Sequence, residues 1–133
     1  MRNDRVSEFV KELTSIVGKT RVLTSEEKTR FYRTGIRIGS GAACAVIFPE
    51  TLLQLWKSLE KCIFFDKVII LQAANTGLTG GSTPDGDDYD RDIIIINTLH
   101  LDQLTLLNNG EQVLACPGTT LYQLEEKLRP LGR

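Results

Sequence analysis

Three short apolar runs, Cys44-Ala45-Val46-Ile47-Phe48, Lys67-Val68-Ile69-Ile70-Leu71 and Asp92-Ile93-Ile94-Ile95-Ile96, constrain this chain more than any other feature. They are β-branched and continuous where a half-exposed strand would alternate. That is the signature of strands buried on both faces, as in a parallel sheet covered by helices. Pro49 closes the first run and suits the opening of a helix. Leu52, Leu53, Leu55, Trp56, Leu59 and Cys62 then form an apolar stripe, with Gln54, Lys57, Ser58, Glu60 and Lys61 on the wet side. Strand, helix and strand in this order make a β-α-β unit, which implies parallel strands joined by a right-handed crossover. Trp56 and its leucines are read here as core and not as a cofactor platform.

The flanking segments are legible in the same way. Asn3 or Asp4 can cap a helix in which Val6, Phe9, Val10, Leu13, Ile16 and Val17 recur at three-and-four spacing until Gly18. Thr24-Ser25-Glu26-Glu27 reads as a capping box opening a short polar helix to about Arg33, and residues 34–43 read as loop. Asn108-Asn109-Gly110 joins residues 104–107 to 112–115 in an antiparallel hairpin, because Asn and Gly tolerate the positive φ of tight turns. Pro117-Gly118 ends that hairpin, and Thr119 or Thr120 caps a last helix carrying Leu121, Leu124 and Leu128.

Composition narrows the function classes. At 133 residues, 41% hydrophobic and 25% charged, the chain suits one globular core. Its 16 basic and 17 acidic residues leave a net charge of -1, which provides no broad basic field for nucleic acid. No run approaches the roughly 20 apolar residues of a membrane span, and the N-terminus does not read as a secretory signal. Cys44, Cys62 and Cys116 are odd in number and widely spaced, so neither a disulfide framework nor a zinc site is expected. His100 has no second ligand nearby and reads as a structural or surface histidine.

The chemistry concentrates in the loop Ala73-Ala74-Asn75-Thr76-Gly77-Leu78-Thr79-Gly80-Gly81-Ser82-Thr83-Pro84, which leaves a buried strand at a sheet edge. Small residues let main-chain N–H groups approach a diphosphate and form an anion nest, while Asn75, Thr76, Thr79, Ser82 and Thr83 add neutral donors. No Lys or Arg lies between Gln72 and Asp90, so an anion there would be held by dipoles. That arrangement suits a diphosphate that is bound and not processed. Neither the Walker motif nor the dinucleotide fingerprint is present. The loop also runs into a strand, so a helix N-terminus cannot be the main phosphate anchor. A glycine-rich connection that binds nothing is the other reading of the composition. Asp85-Gly86-Asp87-Asp88-Tyr89-Asp90 lacks the calcium-loop spacing and reads as a solvated acidic tip; Gly39-x-Gly41 reads as a plain turn. With no nucleophile elbow, one histidine and no poised carboxylate pair, no catalytic residue is assigned.

The ordered strings ILQAANTGLTGGSTPDGDDYDRDIIIIN and LDQLTLLNNGEQVLACPGTTLYQLEEKLRPLG, with FVKELTSIVG, FYRTGIRIGSG and AVIFPETLLQLW before them, closely resemble the flavin-binding domain of the FAD-linked oxidases of the vanillyl-alcohol-oxidase or PCMH type. The likeness covers essentially the whole chain. The resemblance implies an α+β fold, with an N-terminal β-α-β subdomain of parallel strands and the start of a second, mostly antiparallel subdomain. It also implies FAD as cofactor, with Ala73, Ala74, Asn75, Thr76, Gly77, Gly81 and Ser82 around its diphosphate and Pro117-Gly118 in a turn beside the flavin pocket. The family more generally has glycines where Ala73 and Ala74 stand, and a shorter connection than residues 85–92. These departures favour the respiratory branch that oxidises the 2-hydroxy acid D-lactate and passes electrons to quinone. The remainder of the FAD domain, a substrate cap and a basic region that attaches peripherally to the cytoplasmic side of the inner membrane are expected outside residues 1–133. The piece alone is expected to be soluble, to bind FAD weakly and to oxidise nothing.

Overall fold

The computed structural model describes residues 2–133. Along the chain lie α1 (Arg2–Val17), β1 (Val22–Leu23), α2 (Glu26–Arg33), β2 (Ala45–Ile47), α3 (Leu52–Phe64), β3 (Val68–Gln72), β4 (Ile93–Asn97), β5 (Leu104–Leu107), β6 (Gln112–Ala115) and α4 (Leu121–Leu128). The three apolar runs are β2, β3 and β4, all parallel, in a sheet ordered β1-β2-β4-β3. The two strands of the β-α-β unit are therefore not neighbours, because β4 inserts between them. Its four isoleucines are all buried, as is every residue of β2, because these two strands each have a neighbour on both sides. The short strand β1, antiparallel to β2, has no counterpart in the sequence reading.

Alternation along β4 splits the core in two. Ile94 and Ile96 join Ala45 and Ile47 under α1 and α3, against Phe9, Leu13, Val17, Cys62 and Phe65. Ile95 joins Val46 and Phe48 on the other face, with Leu23, Tyr32 and Ile70 packed on them. Fully burying one such aliphatic side chain contributes about 1.5–3 kcal/mol, so the central strand is a main source of cohesion.

Several expectations need correction. The buried side of α3 is formed by Leu55, Ser58, Leu59 and Cys62, whereas Trp56 is 62% exposed and Leu52 and Leu53 also face out. Apolar residues lie on both sides of this helix, so periodicity could not choose the buried one. The cap of α2 is Ser25, whose Oγ accepts from the Lys28 N–H. Because Lys28 cannot return a bond to the cap, the box expected from Thr24 and Glu27 does not form. Asn3 and Asp4 fall within α1, whose preceding residue lies outside the described residues. The hairpin β5-β6 has the expected bounds, with Asn108, Asn109 and Gly110 at φ 49, 55 and 82, and forms its own two-stranded sheet. At α4 the cap is Thr120, in a reciprocal box with Gln123.

Candidate functional site

The parallel strands bring the end of β3 beside the end of β4, with Gln72 paired to Asn97 in register. Both are polar residues closing apolar strands, and both are buried, Gln72 at 2% and Asn97 at 1% exposure. The Gln72 amide donates from Nε2 to the carbonyls of Tyr32 and Ser82, each at 2.8 Å, and its Oε1 accepts from Asn97 Nδ2 at 3.1 Å. Asn97 Nδ2 also donates to the Ala73 carbonyl at 3.0 Å, and its Oδ1 accepts the Leu99 N–H at 3.1 Å. Asn75, at φ 55, donates to the Thr34 carbonyl and accepts from Ser82 Oγ, both at 2.9 Å. The departing and returning arms of the loop are thereby tied to one buried set of amides.

What lies between those ties is different. Among the described residues, no main-chain N–H of residues 73–82 donates to another group of the chain; the next, Thr83, bonds the Gly80 carbonyl. A contiguous row of unpaired donors at an exposed sheet edge is the arrangement that recognises an oxyanion. Ala73, Ala74, Asn75, Thr76, Gly77, Gly81 and Ser82 line one groove of about 270 Å³ with Thr79. A Cβ at Gly81 would meet nothing within 4 Å, and one at Gly77 only Ser82 Oγ at 4.0 Å, so these glycines keep the groove open. The residues present thus fit a diphosphate: open main-chain donors, small side chains and no acidic group among those lining the groove.

The side chains divide unevenly. Those of Asn75 and Ser82 are engaged with each other, leaving their main-chain amides for a ligand. Thr83 is buried at 4% exposure with its hydroxyl unpartnered. A Cβ at Gly39 would sit 2.3 Å from that hydroxyl, so Thr83 faces the neighbouring turn and not the groove. The segment holding Gly39 is the loop expected from its glycines, and it packs against the glycine-rich loop at Gly80 and Thr83. It is fastened by bridges Thr34 to Ser40 and Gly41 to Gly86, and by Ile38, which a Gly80 Cβ would approach to 3.2 Å. Its Gly39 has φ 92, and Arg37 is exposed between Ile36 and Ile38. Gln72 and Asn97 were also missed, although a polar residue ending an isoleucine-rich strand is a signal that can be read. Pro117-Gly118 packs on the turn after β4: the Gly118 N–H bonds the Leu101 carbonyl, and a Cβ there would lie 2.2 Å from the Thr98 oxygen.

Other clusters carry less chemistry. A larger cleft of about 490 Å³, at the opposite end of the sheet, is lined by Arg5, Phe65, Asp66, Lys67, Asp90, Arg91 and Asp92. Its charges are largely paired, with Lys67 to Asp92 at 2.7 Å and Arg91 to Asp66 and Asp90 at 3.1 Å. We favour the smaller groove because it presents unsatisfied donors. His100 Nε2 is 3.0 Å from Arg21 Nη1, and since Arg can only donate, this nitrogen accepts. Burial pushes the thiols up, Cys44 to about 11 and Cys62 to about 12, so neither is a nucleophile at neutral pH. Among the described residues no group of His, Cys, Asp and Glu could hold a metal ion.

No family model matches the sequence. The chain is 59% identical over 125 residues to a quinone-dependent D-lactate dehydrogenase of Escherichia coli, covering 94% of this chain and 22% of that protein. It is 52% identical over 128 residues to the Haemophilus influenzae protein of the same name, covering 96% and 23%. The chain thus spans less than a quarter of the length of the curated relatives it matches. Among solved structures it is similar to alkyldihydroxyacetonephosphate synthase, with TM-score 0.81 and 17% identity over 95% of this chain and 25% of that one. It is also similar to p-cresol methylhydroxylase, with TM-score 0.78 and 15% identity over 97% and 25%. Likeness at these identities speaks for the fold, which is the PCMH-type FAD-binding fold that the resemblance implied.

Proposed function

We propose that this chain, similar over nearly its whole length to quinone-dependent D-lactate dehydrogenases, is the part of their FAD-binding domain that holds the cofactor's diphosphate. The observation that carries the proposal is the row of unpaired main-chain donors in residues 73–82, pinned at both ends and opened by Gly77 and Gly81. Bound there, FAD would supply the electron-accepting chemistry for oxidation of D-lactate to pyruvate, with quinone as final acceptor. The chain's own contribution is to bind and orient. The amides of Ala73, Ala74, Asn75, Thr76, Gly77, Gly81 and Ser82 neutralise the diphosphate by dipoles, and Thr76 and Thr79 offer free hydroxyls beside them. Substrate, quinone and membrane-surface contacts belong to regions outside residues 1–133; no described helix is long and apolar enough to cross a membrane.

The test is to purify the full-length polypeptide, record its visible spectrum, release and identify the chromophore by denaturation, and add D-lactate without oxygen. A flavin spectrum that bleaches on D-lactate, with FAD released, is the expected result. A colourless protein that folds and still binds nucleotides would replace this reading with a non-catalytic nucleotide-binding module.

A further inference from the structure

We infer that the buried Gln72-Asn97 amide pair is the positioning device of the diphosphate groove: it sets FAD affinity without touching the cofactor. This inference rests on the function proposed above and names residues it does not assign. A loop of small residues has little of its own to hold a shape, and glycines make it costly to order. The chain meets that cost before any ligand arrives. Gln72 Nε2 uses both of its hydrogens, one on the Tyr32 carbonyl, which fixes the sheet end against α2, and one on the Ser82 carbonyl, which fixes the returning arm. Asn97 uses its two on Gln72 Oε1 and on the Ala73 carbonyl, which fixes the departing arm. The bonds to Ser82 and Ala73 draw those two main-chain carbonyl oxygens inward toward the buried amides. Carbonyls turned inward cannot face the groove, where their negative ends would repel a phosphate, and the intervening N–H groups stay unpaired. Asn97 extends the device through the Leu99 N–H to the turn on which Pro117-Gly118 rests. One pair of side chains thereby coordinates the groove with the neighbouring turn.

One alternative is weaker. Asn75 and Ser82 tie the loop to itself and to the Thr34 carbonyl but make no side-chain bond to the sheet. The length of Gln72 is specific. Asn would fall one methylene short of the two carbonyls, and Glu would present oxygens to oxygens in a buried site.

The experiment compares full-length wild type with Gln72→Met, Gln72→Glu and Asn97→Ser, measuring FAD dissociation by flavin fluorescence and turnover at saturating FAD. Removing buried hydrogen bonds of this kind should raise the Kd for FAD about tenfold to a hundredfold. The loss should fall on FAD affinity far more than on turnover of the saturated enzyme, since the pair is buried at 2% and 1% exposure and closed to a ligand; a merely structural defect would not give this split. Asn97→Ser serves if the Gln72 variants do not fold. The inference is overturned if a folded variant binds FAD as tightly as wild type, or loses turnover at saturation with its Kd unchanged. A wild-type protein that binds no FAD overturns the functional reading itself, while tight binding by both wild type and variants overturns only the role of the pair.

Discussion

Gly81 and Gly118 would respond to enlargement in opposite ways. At Gly81 a Cβ points into empty space and φ is not in the left-handed region, so Gly81→Ala should leave folding stability unchanged or raise it by up to about 1 kcal/mol. Gly81→Val should still fold, yet weaken FAD binding by about tenfold or more by filling the groove proposed for the diphosphate. At Gly118 three main-chain carbonyls lie 2.2, 2.7 and 2.8 Å from the Cβ position, so Gly118→Ala should cost about 3 kcal/mol. Urea unfolding of the full-length variants, paired with FAD titration, separates the two. The residue letters were identical in the sequence; only the surroundings reveal which glycine keeps space free and which fills it. Cys62 allows a pH test at the same scale. Burial raises its folded value to about 12 from an ordinary 9.0, so the folded state keeps a proton that the unfolded chain releases. Stability should therefore fall as pH rises above about 9 and continue falling toward about 12, at up to about 1.4 kcal/mol per pH unit from this thiol. Comparing unfolding midpoints at several alkaline pH values in wild type and Cys62→Ala checks the sign, because the substitution should flatten the slope.

At the scale of elements, helix α3 has two apolar sides and only one is used. Leu55, Leu59 and Cys62 meet the sheet, while Leu53, Trp56, Ile63 and Phe64 are exposed at 61%, 62%, 73% and 76%. Trp56 is the single tryptophan, so its emission reports this surface alone. In the isolated 133-residue chain at low concentration it should emit as a hydrated indole open to acrylamide, and it should shift to the blue and lose access as concentration rises, because an apolar stripe of this size favours self-association. A blue-shifted, shielded tryptophan at the lowest concentration would contradict the exposed placement. Legibility followed the physics of each element. The isoleucine runs, the Asn-Asn-Gly hairpin and the Thr120 cap depend on local pattern and could be read from it. The neighbour relations of the sheet, the small strand β1 and the buried side of α3 depend on partners distant in sequence. In the groove, the glycine-rich segment announced itself through composition, whereas Gln72 and Asn97 take their meaning from carbonyls that only the fold brings within reach.

Across the whole molecule the two ends of the parallel sheet have opposite characters. The amino end carries the Lys67-Asp92 pair and the arginine-aspartate contacts beside it, charges mostly committed to one another. At the carboxyl end of β3 the loop 73–82 offers unsatisfied dipoles and no charged side chain. The second sheet leans on this end through the Gly118 N–H and the Leu101 carbonyl, so both subdomains meet beside the groove. In the function proposed above, recognition built almost wholly from peptide N–H groups has a further implication. Such a cradle counts oxygens and is blind to what they are esterified to; adenosine diphosphate or a nicotinamide dinucleotide would offer residues 73–82 the same linked phosphates as a flavin. On that proposal, discrimination among these would be exercised by whatever grips the ring and the adenosine, leaving this stretch as an indiscriminate anchor that a more selective surface puts to use.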